Sequence, residues 1–257
     1  MNVGIVGATG FIGSYLATKL STSEIKPTLW QRKLHGDYLI KSNRDRFLTS
    51  HKFDLIYQAA WVNVSDINYK ENVQNFPFVE ASLDFARECV NLGVRIALLG
   101  STFADDFSRS DPYSQSKRQL QAKISEMNSS LVLLIKPTYV FSLEEKRPQI
   151  FREFIDWIQN GNRIEEFPIK SNNALLDFIH VRDVVSALDE IRLHETIKGE
   201  VIVSSGILLS VKEVLTRLET RLTKSQNYFA TQNSLKITNA DGKTKIISCD
   251  ESQAFFG

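Results

Sequence analysis

Short apolar runs alternate with longer amphipathic stretches through the first 142 residues. Buried strands are predicted at residues 3–6, 27–30, 53–60, 95–99 and 131–135. Between them, apolar residues recur at helical spacing over 11–20, 73–91 and 113–127. Strands that are apolar on both faces and separated by helices are typical of a parallel sheet covered on both sides. With right-handed crossovers, the pattern predicts a doubly wound α/β fold of the Rossmann type.

The pattern loosens in the second half of the chain. A helix is predicted from about residue 149 to 159, a strand and helix over 178–192, a helix over 211–222 and a weak final strand. We therefore predict a main domain over 1–142, to which 176–203 returns. Residues 143–175 and 204–257 are predicted to form a small C-terminal substrate lobe beside the carboxyl ends of the strands, where ligands bind in such sheets.

Charge and cysteine content narrow the classes of partner. The chain has 31 Lys plus Arg against 30 Asp plus Glu, so it lacks the basic surface expected of a protein that binds nucleic acid or an anionic membrane. Cys89 and Cys249 do not have metal-ligand spacing, and the four histidines are scattered, so no metal site is predicted. With no apolar run of membrane-spanning length and no basic leader, we expect a cytoplasmic protein.

A glycine-rich turn joins the first strand to the first helix. The segment GATGFIG places Gly7, Gly10 and Gly13 at intervals of three residues. Gly7 permits a sharp turn, Gly10 lets the backbone approach a pyrophosphate, and Gly13 allows the helix to pack closely on the strand. Because a strand precedes the turn and a helix follows it, we predict that residues 1–142 bind a dinucleotide.

The residues after the second strand indicate which dinucleotide binds. An acidic residue there holds the ribose 2′-hydroxyl of NAD, whereas an arginine accepts the extra phosphate of NADP. This chain has Arg32 and Lys33 there, and Asp37 is the first carboxylate that follows. The sequence therefore favours NADP(H), and NAD(H) stays open.

Several motifs along the chain resemble those of the short-chain dehydrogenase/reductase superfamily, in its extended and atypical branch of epimerases, dehydratases and nucleotide-sugar 4-ketoreductases. They occur in the family's order: GATGFIG, then FDLIYQAA as the family's fourth strand, Asn72-Val73 at the start of a helix, YSQSK as Tyr-x-x-x-Lys, LDFIHVRDV before a late helix, and CDESQAFFG near the end. The resemblance spans most of the chain.

The resemblance implies a catalytic site. Tyr113 and Lys117 would be the acid-base pair, and at i and i+4 they share one helix face. An ammonium stabilises a tyrosinate, whose free pKa of about 10 is otherwise too high for catalysis. Ser101, with Thr102 as the alternative, would bind the substrate oxygen. The implied cofactor-binding residues are Gly7, Thr9, Gly10, Phe11, Ile12, Gly13, Arg32, Lys33, Ala59, Ala60, Tyr113, Lys117 and Pro137.

The implied substrate is a small molecule, and the pattern favours reduction of a nucleotide-activated 4-keto-6-deoxy sugar in carbohydrate or lipopolysaccharide biosynthesis. One departure counts against this substrate: Leu176 stands where the family often has an arginine that contacts the pyrophosphate, so Arg182, Arg147 or Arg163 would have to substitute for it. A second departure, Phe103 to Asp106 in place of the usual Val-Tyr-Gly, concerns only the choice between Ser101 and Thr102. An epimerase or dehydratase with retained NAD(P), and a non-catalytic NADP sensor, stay open. A homodimer is compatible with the family, but nothing in the sequence specifies it.

Overall fold

The chain is built from strands that lie mostly in one large sheet, with helices on both of its faces. A computed structural model describes residues 1–23, 25–62, 68–142, 144, 150–169, 174–223, 234–239 and 244–248. The strands are β1 (Val3–Val6), β2 (Thr28–Leu29), β3 (Leu55–Gln58), β4 (Arg95–Leu99), β5 (Val132–Pro137), β6 (Tyr139–Phe141), β7 (Leu175–His180), β8 (Gly199–Ser204), β9 (Leu208–Ser210), β10 (Ser234–Asn239) and β11 (Thr244–Ser248). The α-helices are α1 (Phe11–Thr22), α2 (Arg32–His35), α3 (Lys41–Ser50), α4 (Asn75–Asn91), α5 (Pro112–Met127), α6 (Ile150–Gln159), α7 (Val181–Leu193) and α8 (Val211–Thr223).

The large sheet has the order β11-β10-β8-β5-β4-β3-β1-β2, and its strands from β2 to β8 are parallel. Strands β1, β3, β4 and β5 are buried along their whole length, as their continuous apolar runs predicted. Helices α1 and α7 cover one face, and α3, α4 and α5 cover the other. The predicted Rossmann-type, doubly wound sheet is therefore confirmed.

The edge of the sheet beyond β2 is shorter than in the usual order 3-2-1-4-5-6. After β2 the chain enters α2 and α3 and then returns directly as β3. Strand β3 pairs with β1 and so occupies the place of the fourth strand in that order. This agrees with the resemblance of FDLIYQAA to the family's fourth strand.

A second, three-stranded sheet has the order β6-β7-β9, and it packs with α6 and α8 around a small aromatic core that includes Phe141, Phe151, Phe154 and Phe178. Strand β7 therefore does not return to the large sheet, although α7 and β8 do. In the other direction, β10 and β11 extend the large sheet by antiparallel pairing with β8. These placements differ from the assignments expected for residues 176–180 and for the final strands. The division into two domains stays a prediction.

One buried arginine ties the large sheet to the end of α7. Arg95, at the start of β4, is only 6% exposed and donates hydrogen bonds to the carbonyl oxygens of Ile191, His194 and Ile197 at 2.8–3.1 Å. The last carbonyl groups of a helix lack partners within the helix, so a cation there satisfies them.

Replacing this guanidinium with an apolar side chain should destabilise the fold. Arg95→Met leaves buried carbonyl groups without donors, and we expect it to lower the free energy of unfolding by about 2–4 kcal/mol. Urea unfolding followed by circular dichroism measures this. Arg87→Met on the exposed face of α4 removes only a surface pair with Asp84 and is the matched control. Equal effects of the two substitutions would contradict the role assigned to Arg95.

Candidate active site

The glycine turn after β1 brings the backbone of β1 against the end of β3. Gly7 has a φ of 85°, and a Cβ atom there would lie 2.5 Å from the backbone nitrogen of Ala60. A Cβ atom on Gly13 would overlap the carbonyl group of Gly7. The Ala59 N–H also donates to the Val6 carbonyl oxygen at 2.8 Å. Both glycines are therefore required by backbone contact, as predicted from their spacing.

The first turn of α1 can accept an anion. Gly10 is its N-cap and provides no side-chain acceptor, and no acidic residue lies in the first turn. A Cβ atom on Gly10 would contact only the Gly7 carbonyl oxygen, so the backbone is otherwise open there. Thr9 is exposed and Phe11 and Ile12 are half-buried. The first N–H groups of a helix have no partner within the helix, and together with the helix dipole they fit a pyrophosphate, so this turn suits a dinucleotide.

Two cations follow β2 at the same edge of the sheet. Arg32 and Lys33 form the start of α2 and are exposed. The Arg32 guanidinium contacts the Asp37 carboxylate at 2.5 Å, and 80% of its side chain is accessible to solvent. No carboxylate lies at the end of β2 itself, where Trp30 and Gln31 stand.

Helix α5 carries the predicted acid-base pair. It begins with Pro112 after the N-cap Asp111, whose side chain accepts a hydrogen bond from Ser114 N–H at 2.9 Å. Tyr113 and Lys117 then lie one turn apart, with the Lys117 Nζ 5.8 Å from the centroid of the Tyr113 ring. The structure therefore brings the two predicted residues together.

Lys117 is buried without a carboxylate partner among the contacts that the structure describes. It is 4% exposed, its Nζ donates to the Leu99 carbonyl oxygen at 2.8 Å, and the Trp61 ring centroid lies 3.3 Å from the same nitrogen. Burial holds the pKa of the Lys117 ammonium well below its ordinary value of 10.5. A neutral carbonyl group and an aromatic face compensate only partly for the lost hydration.

The loop before α4 encloses this pair, and sequence reasoning missed it. The buried Asn75 amide accepts the Trp61 indole N–H and donates to the carbonyl oxygens of Tyr69 and Asn72, each at 2.7 Å. The Tyr69 ring then packs edge-on against Tyr113 at 5.4 Å. Asn72, the residue singled out in the sequence, accepts only a local bond from Gln74 N–H among the described contacts of its side chain.

The two candidate hydroxyl groups follow β4 and have different surroundings. Ser101 is 9% exposed, and its oxygen accepts the Phe103 N–H at 3.2 Å, which caps the 3₁₀ turn Thr102–Asp105. Thr102 is half-buried, and its hydroxyl makes only a long contact of 3.4 Å with the Pro137 carbonyl oxygen. Thr102 is therefore the more exposed hydroxyl group, whereas the Ser101 oxygen accepts a bond and its O–H has no acceptor among the described contacts.

Two nearby aspartates have structural partners. Asp105 contacts the buried Lys136 ammonium at 2.7 Å, and Lys136 also contacts Glu200 at 3.1 Å. Asp106 accepts two bonds from Ser108, which lower the pKa of its carboxyl group below the ordinary value. Neither arrangement resembles a carboxylate poised for proton transfer.

None of the described residues forms a cluster of His, Cys, Asp or Glu that could hold a metal ion. None of the helices in that part of the chain is long and apolar enough to cross a lipid bilayer. Cys249, the closing CDESQAFFG and Arg147 lie outside the described residues.

The buried ammonium of Lys117 should reduce stability when no ligand is bound. In the unfolded chain Lys117 titrates at a higher pKa than in the folded chain, so its penalty is full below the folded pKa and falls as the pH rises toward 10.5. Lys117→Met should therefore raise the free energy of unfolding near neutral pH by about 1 kcal/mol or more. Its advantage over the unsubstituted protein should shrink at higher pH.

Chemical denaturation at several pH values measures this difference. Lys123→Met, in the same helix but paired with Glu80 at the surface, is the matched control and should show no such pH dependence. Loss of stability in Lys117→Met at every pH would contradict the proposed penalty.

Comparison with known proteins supports the resemblance seen in the motifs. The model of the NAD dependent epimerase/dehydratase family matches residues 3–203. No curated protein matches the sequence significantly. Among solved structures, similar folds include a dTDP-4-dehydrorhamnose reductase from Clostridium acetobutylicum, with 12% identity, a TM-score of 0.72 and coverage of 87% of this chain and 80% of that one.

Two further structures were solved with cofactors. The dTDP-4-dehydrorhamnose reductase from Bacillus anthracis, in complex with NADP, has 15% identity, a TM-score of 0.70 and coverage of 88% and 83% of the two chains. The UDP-glucose 4-epimerase from Thermus thermophilus, in complex with NAD, has 15% identity, a TM-score of 0.66 and coverage of 97% and 91%. At these identities the likeness shows the fold. The family model covers most of the chain, so this protein belongs to the NAD-dependent epimerase/dehydratase family of NAD(P)-dependent enzymes, within the short-chain dehydrogenase/reductase superfamily.

Proposed function

We propose that this protein is an NADP(H)-dependent reductase that transfers hydride to the carbonyl carbon of a nucleotide-activated 4-keto-6-deoxy sugar. The observation that carries the proposal is the pairing of Tyr113 and Lys117 on α5, with the Lys117 ammonium bound to the carbonyl oxygen of Leu99, two residues before Ser101. The glycine turn after β1 lies at the same carboxyl edge of the sheet, two strands away. This edge is where ligands bind in doubly wound folds.

The residues have distinct roles in the proposed reaction. NADPH supplies the hydride when it is bound. Tyr113 donates its phenolic proton to the carbonyl oxygen as the carbon accepts the hydride, so the product is an alcohol and the phenolate later regains a proton from solvent. The Lys117 ammonium stabilises the phenolate. Thr102 donates a hydrogen bond that orients the carbonyl group, because it is the more exposed of the two hydroxyl groups and its bond to Pro137 is long. Ser101, whose O–H has no acceptor among the described contacts, is the alternative donor.

The cofactor preference rests on the cations after β2. Arg32 and Lys33 are exposed where an adenosine 2′-phosphate would lie, and a guanidinium binds phosphate bidentately. Asp37 now pairs with Arg32, so a phosphate would compete with this carboxylate. The same carboxylate supports a second candidate: NAD(H) as cofactor, as expected for an epimerase that retains it.

The substrate class is supported by the names of the similar structures, which include nucleotide-sugar reductases and epimerases. The family often has a pyrophosphate-binding arginine at the position of Leu176, and none of the described arginines takes its place in the structure. Leu176 lies in β7 opposite Leu209. Arg182 and Arg163, the alternatives inside the described ranges, approach Glu144 and Glu165 instead.

The setting of the reaction follows from these assignments. We propose that the protein acts in the cytoplasm, where nucleotide sugars and NADPH are used, in carbohydrate or lipopolysaccharide biosynthesis. Its partner is a small molecule, and a homodimer is compatible with the exposed helices. A sensor that binds NADP without turnover is the non-enzymatic alternative. The presence of both Tyr113 and Lys117 argues against it.

Turnover tests the proposed roles. NADPH oxidation is followed with a panel of nucleotide 4-keto sugars and simple ketones. Tyr113→Phe and Thr102→Val should each lower kcat by about 10²-fold or more, because each removes a group that acts in the transition state, while the Kd for NADPH changes little. Ser101→Ala should mainly lower stability, because it removes a turn cap. Unchanged turnover in Tyr113→Phe would contradict the mechanism, and tight cofactor binding with no turnover on any carbonyl would favour a sensor.

Cofactor titration tests the assignment to NADP(H). Arg32→Gln should weaken NADPH binding about tenfold or more and leave NADH binding nearly unchanged, since only NADPH has the 2′-phosphate. Lys52→Gln, a surface substitution outside the turn, is the control for lost charge. Fluorescence titration gives each Kd. Tighter binding of NADH than of NADPH by the unsubstituted protein would overturn the assignment and favour the epimerase alternative.

A further inference from the structure

Two cations lie beside Tyr113 that the proposed hydride transfer does not use. Lys70 lies in the turn before α4, and its carbonyl oxygen accepts the Tyr113 N–H at 2.9 Å. Arg109 lies just before the N-cap of α5. Both approach the ring of Phe103, with the Arg109 Cζ 4.4 Å and the Lys70 Nζ 5.6 Å from its centroid. The two cations therefore approach the same aromatic ring, near the start of the helix that carries the acid-base pair.

The Lys70 ammonium is half-buried and has no anionic partner among the described residues. Its Nζ contacts the aromatic faces of Phe103 and Tyr69, the latter at 5.9 Å, but forms no hydrogen bond or ion pair in the part of the chain that the structure describes. Burial is the main cause that lowers the pKa of the Lys70 ammonium, the charge of Arg109 adds to the effect, and the charges of Asp111 and Glu71 oppose it. A second cation in a partly buried place is unfavourable unless an anion joins it.

Arg109 is only partly neutralised. Its Nε donates to the Ser114 hydroxyl oxygen at 3.0 Å and lies 3.3 Å from the Asp111 carboxylate. These contacts use one nitrogen, and a guanidinium has further donors on its two terminal nitrogens. Asp111 also accepts bonds from Ser114 as the cap of α5. Asp111 thus serves both the cap of α5 and Arg109, and together with Glu71 it only partly offsets the charge of Lys70.

A nearby arginine, Arg118, differs from Lys70 because its side chain is hydrogen-bonded to the backbone. Arg118 lies 4.7 Å from the Phe107 ring centroid, and it also donates to the carbonyl oxygens of Ala104, Asp106 and Arg109. Its hydrogen-bonding capacity is used to hold the loop between β4 and α5. Lys70 makes no such bonds, so packing of the loop does not account for its charge.

We propose that Lys70 and Arg109 form a subsite for an anionic group of the carbonyl substrate, with phosphate or carboxylate oxygens. This inference rests on the proposed function and deepens it, because it places a negative charge of the substrate next to Tyr113. A phosphate or carboxylate between the two cations accepts the donors that both still have. The subsite selects substrates whose anionic group lies within reach of the reacting carbonyl group, and it compensates for the leucine at position 176.

Equilibrium binding at low ionic strength tests the subsite. Protein saturated with NADP⁺, so that the glycine turn is filled, is titrated by calorimetry with UDP and with UDP-glucuronate. Lys70→Gln should weaken binding of at least one of them about tenfold or more, because one charge-assisted contact is lost, and Lys70→Arg should restore most of it. Arg109→Gln should act in the same direction.

The control removes an equal charge from the opposite edge of the sheet. Lys198→Gln alters an exposed lysine just before β8 and should leave both affinities unchanged. Thermal unfolding of each variant checks that the fold is retained. An effect of Lys70→Gln on both ligands identifies the diphosphate as the bound group, and an effect on UDP-glucuronate alone identifies the sugar carboxylate.

Two results would overturn the subsite: affinities in Lys70→Gln equal to those of the unsubstituted protein for both ligands, or no binding of either ligand by the unsubstituted protein. Since the titration measures binding without turnover, it separates the two proposals. Binding that depends on Lys70 in a protein that reduces no carbonyl contradicts the proposed reaction and leaves the subsite intact. Reduction of a carbonyl by a protein whose ligand binding does not depend on Lys70 supports the proposed reaction and contradicts the subsite.

Discussion

The contact between the backbone of Gly7 and the backbone of Ala60 is the constraint on which the active-site edge depends. Because no side chain stands between them, β1 and β3 stay paired past their last regular residues, and the helix that follows Gly7 begins directly above them. Trp61 follows Ala60 in the chain, and its ring packs against the Lys117 ammonium. The turn suited to a pyrophosphate and the ammonium beside Tyr113 are therefore joined through two consecutive residues at the end of one strand.

Local patterns accounted for most of the fold, and non-local pairing accounted for the differences. The apolar runs of β1, β3, β4 and β5 could be recognised because each strand is buried on both faces, which depends on its own residues. The destination of β7, β10 and β11 depends instead on which sheet edge is open to them. Strand β10 pairs with β8, and β7 pairs with β6. The residues of β10 and β7 do not by themselves specify these partners.

The candidate site divides in the same way. Tyr113 and Lys117 could be paired from the sequence because one helical turn places them together. Asn75, Trp61 and Lys70 could not, since their roles arise from contacts between separate loops and α5. Asn75 is the first residue of α4, and its own sequence context does not predict that burial makes its amide the centre of three hydrogen bonds.

Three lysines near the carboxyl edge of the sheet show how surroundings decide what a cation can do. Lys136 is buried between Asp105 and Glu200, so its charge is compensated within the protein and holds β5, β8 and the 3₁₀ turn together. Lys117 is equally buried but has a carbonyl oxygen and an indole ring in place of carboxylates, so its charge can act on a neighbouring phenolate or a ligand hydroxyl. Lys70 is half-buried against two aromatic rings. Around the same edge the protein thus places one ammonium group paired with two carboxylates and two ammonium groups that form no ion pair among the described residues, and the latter two adjoin Tyr113. That distribution suits the proposed binding and reduction of an anionic carbonyl compound, because such a substrate would bring negative charge to the two ammonium groups.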